Sequence, residues 1–366
     1  MTGRMRIAFF GSSLVSAYWN GAATYYRGVI RALAERGHRV TFFEPDAYDR
    51  QRHRDIEDPS WARVVVYPAD REGVMRALDI ARDSDLIVKA SGVGVFDELL
   101  ESAVLELQRP DVRVVFWDVD APATLEAVAS APERTFANLI PRYDMIFTYG
   151  GGDPVVRAYL ALGARACVPI YNALDPSTHR RAPPEPRFAA DLAFMGSRLP
   201  DREARLDEFF FRVAAKLPDR RFVLGGNGWQ DKPRSSNVDY VGHVYTYEHN
   251  AFNSTPTAIL NVDRESMARF GFSPPTRIFE AAGARACMIT DHWEGIELFL
   301  EPDREVLVAR DGDEVAAHVS RLTPMRARVI GDAGHRRVLS EHTYAHRVTE
   351  VEAALDGAVA RTHRAV

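Results

Sequence analysis

Cysteine is nearly missing from this chain. It has two, Cys167 and Cys287, too few for a disulfide framework and unable to form a zinc site unaided. Long apolar runs are missing as well. None approaches the ~20 residues that a membrane span needs, and the IAFF run after Arg6 is too short for the core of a signal peptide. There is no excess of positive charge: 46 Lys and Arg stand against 51 Asp and Glu, a net charge of −5. That balance gives no electrostatic reason to expect nucleic acid as a partner. The turn after the first predicted strand contains no GxGxxG, which weakens a dinucleotide reading. These absences leave a cytoplasmic enzyme or binding protein as the expected class.

What is present is ordinary globular material, 46% hydrophobic and 27% charged over 366 residues. That length suggests two domains, each able to bury a core. Short apolar runs recur at 5–13, 38–44, 63–67, 85–90, 112–117, 144–149 and 164–172, with helical spacing between several of them. The stretch 175–190 is rich in Pro and Arg, breaks all periodicity and reads as a linker. The alternation resumes with runs at 191–197, 221–226, 238–244, 257–263, 286–290 and 305–309, and a helical end over 327–362. Strand–helix alternation in both halves predicts α/β domains with parallel sheets and helices on both faces. The halves share one local echo, GARAC at 163–167 and 283–287, which places the two cysteines at equivalent buried positions as packing residues.

The most informative stretch is RFGFSPPTRIFEAAGARACMITD, 269–291. Pro274 and Pro275 suit the first turn of a helix, and Gly283 its end. Arg277 and Glu280 are three apart and share a face near the helix start. Free N–H groups at such a start favour a phosphate, and Glu280 is placed to accept hydrogen bonds from paired sugar hydroxyls. An ordinary surface Arg–Glu pair on a packing helix is the equal alternative here. Two further spots lie at predicted strand ends, where open α/β sheets bind ligands. Asp118 and Asp120 follow the 112–117 run, and an acid there can serve as a general base for a hydroxyl. Gly11 and the Asn20-Gly21 pair follow the first strand, with simple turn chemistry as the alternative.

FMGSRL (194–199), VLGGNG (223–228), YVGHV (240–244) and FGFSPPTRIFEAAGARACMIT (270–290) occur in that order. Together they resemble the donor domain of the GT-B glycosyltransferases. YDMIFTYGGG (143–152), LGARACVPIYNALDPSTH (162–179), ILNVDR (259–264) and HTYAHR (342–347) look more narrowly like the CgeB-like, spore maturation type, members. The resemblance implies two Rossmann-like domains with parallel sheets facing across a cleft. The N-terminal, acceptor-side domain would be 1–175, the linker 176–190, the donor domain 191–340, and 341–366 a C-terminal helix packing back on the first domain. It implies transfer of a sugar from a nucleoside-diphosphate sugar to an unidentified acceptor hydroxyl, without a required metal or other cofactor.

By the same resemblance, Glu280 would bind the ribose, while Arg277 and Arg198, beside the Gly196-Ser197 turn, would neutralise the diphosphate. Gly226 and Asn227 would line the nucleotide pocket, with Gly242 and His243 beside the base. Gly271, Phe272 and Ser273 would offer backbone N–H groups to the diphosphate or sugar. Asn20 and Gly21 would approach the donor from the first domain. The second Glu that retaining members often carry, about eight residues before the ribose-binding one, is Phe272 here. Asp118 or Asp120 could serve as base in an inverting reaction, although no motif forces it. His53, His179, His243 and His342 are further candidates, but a lone histidine is more often structural. Also open are a sugar-nucleotide epimerase and a non-catalytic binding protein of the same shape.

Overall fold

The computed structural model describes residues 3–130 and 135–364. The chain divides into two compact units. One runs to Tyr171 and resumes at Tyr344; the other is Asn172–Thr343.

The first unit is built on β1 (Arg6–Phe10), β2 (Arg39–Asp46), β3 (Arg63–Pro68), β4 (Leu86–Ala90), β5 (Arg113–Asp118), β6 (Met145–Thr148) and β7 (Cys167–Pro169). They form one sheet in the order β3-β2-β1-β4-β5-β6-β7, with every neighbouring pair parallel. Most are short apolar runs, as a sheet covered on both faces requires. The strand order reverses between β1 and β4, so the loops after these strands flank a topological switch point. Aromatic rings fill the core: Phe9 lies 5.4 Å from Phe42 and 5.7 Å from Trp117, centre to centre. The helix Tyr344–Arg364 belongs to this unit and packs on the first helix, Ala23–Glu35. Glu352 pairs with Arg36 and His38 there.

The second unit carries β8 (Leu192–Met195), β9 (Phe222–Gly225), β10 (Val238–Gly242), β11 (Ala258–Asn261), β12 (Met288–Asp291) and β13 (Leu307–Ala309). Their order is β10-β9-β8-β11-β12-β13, again all parallel. The switch point falls between β8 and β11. Leu192, Phe194, Phe222, Leu224, Leu260, Ile289 and Leu307 from the strands pack with Phe210, Val315, Val319 and Ile330 from the helices.

Four sequence expectations differ from the structure. Residues 176–190 run along the second unit, where the amides of Arg180, Ala182 and Glu185 donate to side chains of Asn250, Ser254 and Thr255. The helix after β12's predecessor loop begins at Thr276 with Pro275 as its N-cap, and Gly283 is its last residue. A Cβ at Gly283 would lie 2.6 Å from Leu174 Cδ1 and 2.8 Å from the His179 carbonyl, so the glycine serves close packing of segment 174–179. Helices Ala121–Ser130 and Thr135–Leu139 fill a stretch whose sequence carries no helical expectation. The cysteines are not equivalent either. Cys167 opens the edge strand β7, whereas Cys287 leads into β12, an internal strand.

Candidate functional site

The site grows from the carboxyl end of β8, beside the switch point. Two side chains crowd Gly196 there. A Cβ built on it would meet Arg202 Nη1 at 3.0 Å and the Phe194 ring at 3.1 Å. Arg277, in the first turn of the Thr276–Gly283 helix, lays its guanidinium 5.1 Å from the centre of that same Phe194 ring. Two arginines thus lie at one strand end, Arg277 on the Phe194 ring and Arg202 beside Gly196.

Neither guanidinium is hydrogen-bonded to a carboxylate among the described residues. Nε of Arg202 and Nε of Arg277 are both buried without a hydrogen-bond partner. Burial lowers Arg202, and the carboxylates of Asp263, Asp201 and Asp291 act on it only through space. Burial, with the charge of Arg202 second, pushes Arg277 down to about 10. A guanidinium keeps its proton in proteins, so this charge is held at a cost that a bound anion relieves. The amides of Thr276 and Arg277 are first-turn groups without an intrahelical carbonyl, at the positive end of the helix.

One turn along the helix, Glu280 sits among histidines. His179 Nε2 is 3.8 Å from its Oε1, and the two side chains keep only 11% and 13% of their surface. His179 Nδ1 meets the Thr178 hydroxyl at 3.0 Å. His249 is also held nearby; burial lowers its pKa, against the pull of Glu280. Arg202 and His249 are not legible in the sequence, and His179 reads there only as a lone histidine. Arg202 sits in a charged run, DREAR, that reads as a solvated helix face, and only the fold shows it buried.

The remaining expected residues fall into place unevenly. Gly226 has φ +115°, and a Cβ there would lie 2.3 Å from the Gly196 carbonyl oxygen. The two glycines therefore let the ends of β8 and β9 touch, rather than opening room for a ligand. Their amides are also used, Gly196 N donating to Gly225 O and Gly226 N to Gly242 O. Ser197 is half-buried and Asn227 exposed, with the Arg198 amide donating to the Asn227 carbonyl. Gly242 ends β10, and His243 is exposed beside Tyr245, their rings 4.6 Å apart.

Three expectations are corrected. The Arg198 guanidinium is taken by Glu203 at 2.6 and 2.8 Å and by Asp231 at 3.1 Å. These bonds raise Arg198 and pull Glu203 down to about 2, so the arginine's charge is already matched. In the 271–273 loop two amides are occupied, Gly271 N donating to Met267 O and Phe272 N to Glu294 O; only Ser273 N donates to no group among the described residues. Asn20 is folded into its own loop. Its Oδ1 accepts from Ser12 Oγ at 2.9 Å, and its Nδ2 donates to the Ser13 and Ser16 carbonyls, leaving nothing for a donor. Gly21 is exposed in the turn that follows.

In the first unit Asp118 closes β5 and is fully buried. Its Oδ1 accepts from Ser91 Oγ, Thr124 Oγ1 and the Asp120 amide, and its Oδ2 from the Tyr159 hydroxyl at 2.5 Å. Burial pushes its pKa up despite these bonds. Asp118 is thus an anchor of the strand end, and Asp120, half-buried, is the carboxylate it positions. Among the described residues no group of three His, Cys, Asp or Glu is placed to hold a metal ion, and no helix is long and apolar enough to cross a membrane.

Comparison with known proteins gives three findings. Residues 202–353 match a family model described as glycosyl transferase-like. No curated protein sequence matches. Among solved structures, Anabaena HepE in complex with UDP and glucose is 14% identical, covering 97% of this chain and 100% of that one, with a TM-score of 0.69. An alpha-glucosyltransferase in complex with UDP-glucose and DNA is 13% identical over 97% of this chain and 100% of that one, at 0.71. Sucrose-phosphate synthase from Thermosynechococcus elongatus is 15% identical over the same shares, at 0.68. Residues 202–353 thus match a glycosyl transferase-like family model, and the fold of the chain, two sheets of parallel strands, is that of the GT-B glycosyltransferase structures.

Proposed function

We propose that the protein transfers a sugar to an acceptor hydroxyl, and that the donor is a uridine-diphosphate sugar held by the second unit, with Arg202 and Arg277 on its diphosphate and Glu280 on its ribose. The observation that carries this is the pair of guanidiniums at the end of β8 without a carboxylate hydrogen bond, one helix turn from a half-buried carboxylate. HepE and the alpha-glucosyltransferase were crystallised with UDP or UDP-glucose, which supports uracil as the base.

In this reading the amides of Ser273, Thr276 and Arg277 add donors to the phosphate oxygens. Negative charge grows on the diphosphate as the sugar departs, so fixed cations stabilise the transition state more than the ground state. Arginine and helix N–H groups carry that charge, and the reading requires no metal. His179 and His249 hold the Glu280 carboxylate in place for the ribose hydroxyls. Gly242 and His243 lie by the base. On the first unit Asp120, positioned by Asp118, takes the proton of the acceptor hydroxyl. The segments quoted above further support CgeB-like membership. Free Cys167 and Cys287 fit a reducing cytoplasm.

A thermal-shift panel of UDP, GDP, dTDP, ADP and NAD tests this. A ligand at ~100 times its dissociation constant stabilises by about 2.7 kcal/mol. UDP alone should raise the melting temperature of the wild type. A shift with NAD and with no diphosphate would refute the reading.

A further inference from the structure

The loops after β2, β1 and β4, three neighbouring strands of the first unit, carry four large aromatic side chains to the surface. Trp19 is 77% exposed, Tyr48 57%, Phe96 41% and Tyr18 40%. Trp19, Tyr48 and Phe96 all have left-handed backbones, φ +47°, +57° and +53°. A bulky residue is disfavoured in that conformation, and such residues persist where function holds them. A large exposed ring is a second cost at the same three positions.

The rings rest on a stiff frame. Arg50, itself buried, donates to the Ser12 carbonyl at 3.1 Å and the Trp19 carbonyl at 3.5 Å, and lies 5.0 Å from the centre of the Tyr48 ring. The Tyr48 hydroxyl donates to the Gly94 carbonyl at 2.5 Å, and the Gly94 amide donates to Asp97. Tyr18 stacks on His53 at 4.0 Å with an interplanar angle of 11°. One arginine and one tyrosine hydroxyl thus tie all three loops together at the carboxyl edge, over the β1/β4 switch point, where this fold receives ligands.

The charges around the rings decide the occupant. Arg27 pairs with Asp55, Arg52 with Asp49 and Arg54 with Asp58, while Arg50 is internal. No cation in these pairs is left over for a phosphodiester chain, which needs cations interleaved with its stacking rings. Asp46, Asp49 and Arg52 are exposed on the same loop as Tyr48, and such charged side chains do not suit a lipid surface. What matches separate flat rings in a neutral, polar setting is an uncharged saccharide, whose C–H faces stack on aromatics while its hydroxyls meet the polar rim.

We propose that this surface is the acceptor platform and that the acceptor is an uncharged saccharide stacked on Trp19, Tyr48 and Phe96. Calling it the acceptor rests on the transferase reading above; saccharide binding does not. Trp117, Trp229 and Trp293 are buried. In a Trp61→Phe background, acrylamide quenching of tryptophan fluorescence therefore reports Trp19. Methyl glucopyranosides, maltose, cellobiose and chitobiose at millimolar concentration are the probes. At a concentration equal to the dissociation constant half the sites are covered, so quenching should fall about twofold. The protection should vanish in Phe96→Gly, whose melting temperature should be no lower, because glycine accepts that backbone. Absence of protection by every sugar overturns the proposal, as does protection only by a single-stranded oligonucleotide or by phosphatidylcholine vesicles. Sugar protection without sugar transfer would sink the transferase reading and leave the platform; UDP release from a donor with no protection would do the reverse.

Discussion

Replacing Arg277 with methionine should strengthen the free protein and weaken its hold on UDP. The two effects have separate sources in the structure. The lowering of the guanidinium to about 10 corresponds to roughly 3 kcal/mol against the charged form. Part of the side chain still reaches solvent, so about half of that figure is a fair measure. Methionine keeps much of the volume and a favourable sulfur contact on Phe194 of ~0.3–1.5 kcal/mol, which offsets the lost cation–π contact of ~0.5–1 kcal/mol. The free variant should therefore melt higher, by about 3–6 °C at 2–4 °C per kcal/mol for a unit of this size. Against that, a hydrogen bond to a charged group contributes ~1.5–3 kcal/mol. Its loss weakens UDP binding by roughly 10- to 150-fold. Scanning calorimetry without ligand and titration calorimetry with UDP read the two terms separately. A lower melting point together with unchanged UDP affinity would mark Arg277 as an ordinary packing residue and refute the reasoning.

Gly226→Ala should be among the most damaging single changes, by about 2–5 kcal/mol, because the new methyl meets a backbone carbonyl and the left-handed φ persists; chemical denaturation measures it, and a loss under 1 kcal/mol would mean that the contact between β8 and β9 relaxes easily. His249 has its folded pKa below its ordinary 6.5, through burial first, with Glu280, His179 and Arg277 facing it. The unfolded chain then takes up the proton first, so its contribution to stability is present above pH ~6.5 and is lost as pH falls through the folded value. Melting temperatures of wild type and His249→Gln should accordingly converge as pH drops below ~6.5, and parallel curves would contradict this. Arg198→Ala should leave UDP affinity unaltered, since Glu203 and Asp231 already match that charge; a weakening of about tenfold or more would return Arg198 to the phosphate site.

The sheets were legible because their strands are short, apolar and bounded by turn residues, and such runs have few alternatives to burial. RVVFW and ACMIT are examples, although the second enters β12 two residues late. The Arg277–Glu280 spacing was legible because a helix fixes which residues share a face. Partners distant in sequence were not. Arg198 and Arg202 lie four apart on one segment, and nothing local says that Glu203 and Asp231 intercept the first while the second is buried beside Gly196. Asn20-Gly21 reads as a turn, and whether its amide faces outward or folds inward depends on Ser12, Ser13 and Ser16. Asp118 and Asp120 look alike in DVD, yet four hydrogen bonds bury the first.

The central claim is that Glu280 reads the ribose hydroxyls of a nucleoside diphosphate held by Arg202 and Arg277. The most direct measurement is a four-way titration: wild type and Glu280→Ala, each with UDP and with 2′,3′-dideoxy-UDP. The account predicts that wild type prefers UDP by ~1.5–3 kcal/mol, the worth of hydrogen bonds to a charged acceptor, and that the preference disappears in Glu280→Ala, giving a coupling energy of the same size. An equal preference in both proteins would place the ribose elsewhere and contradict the account.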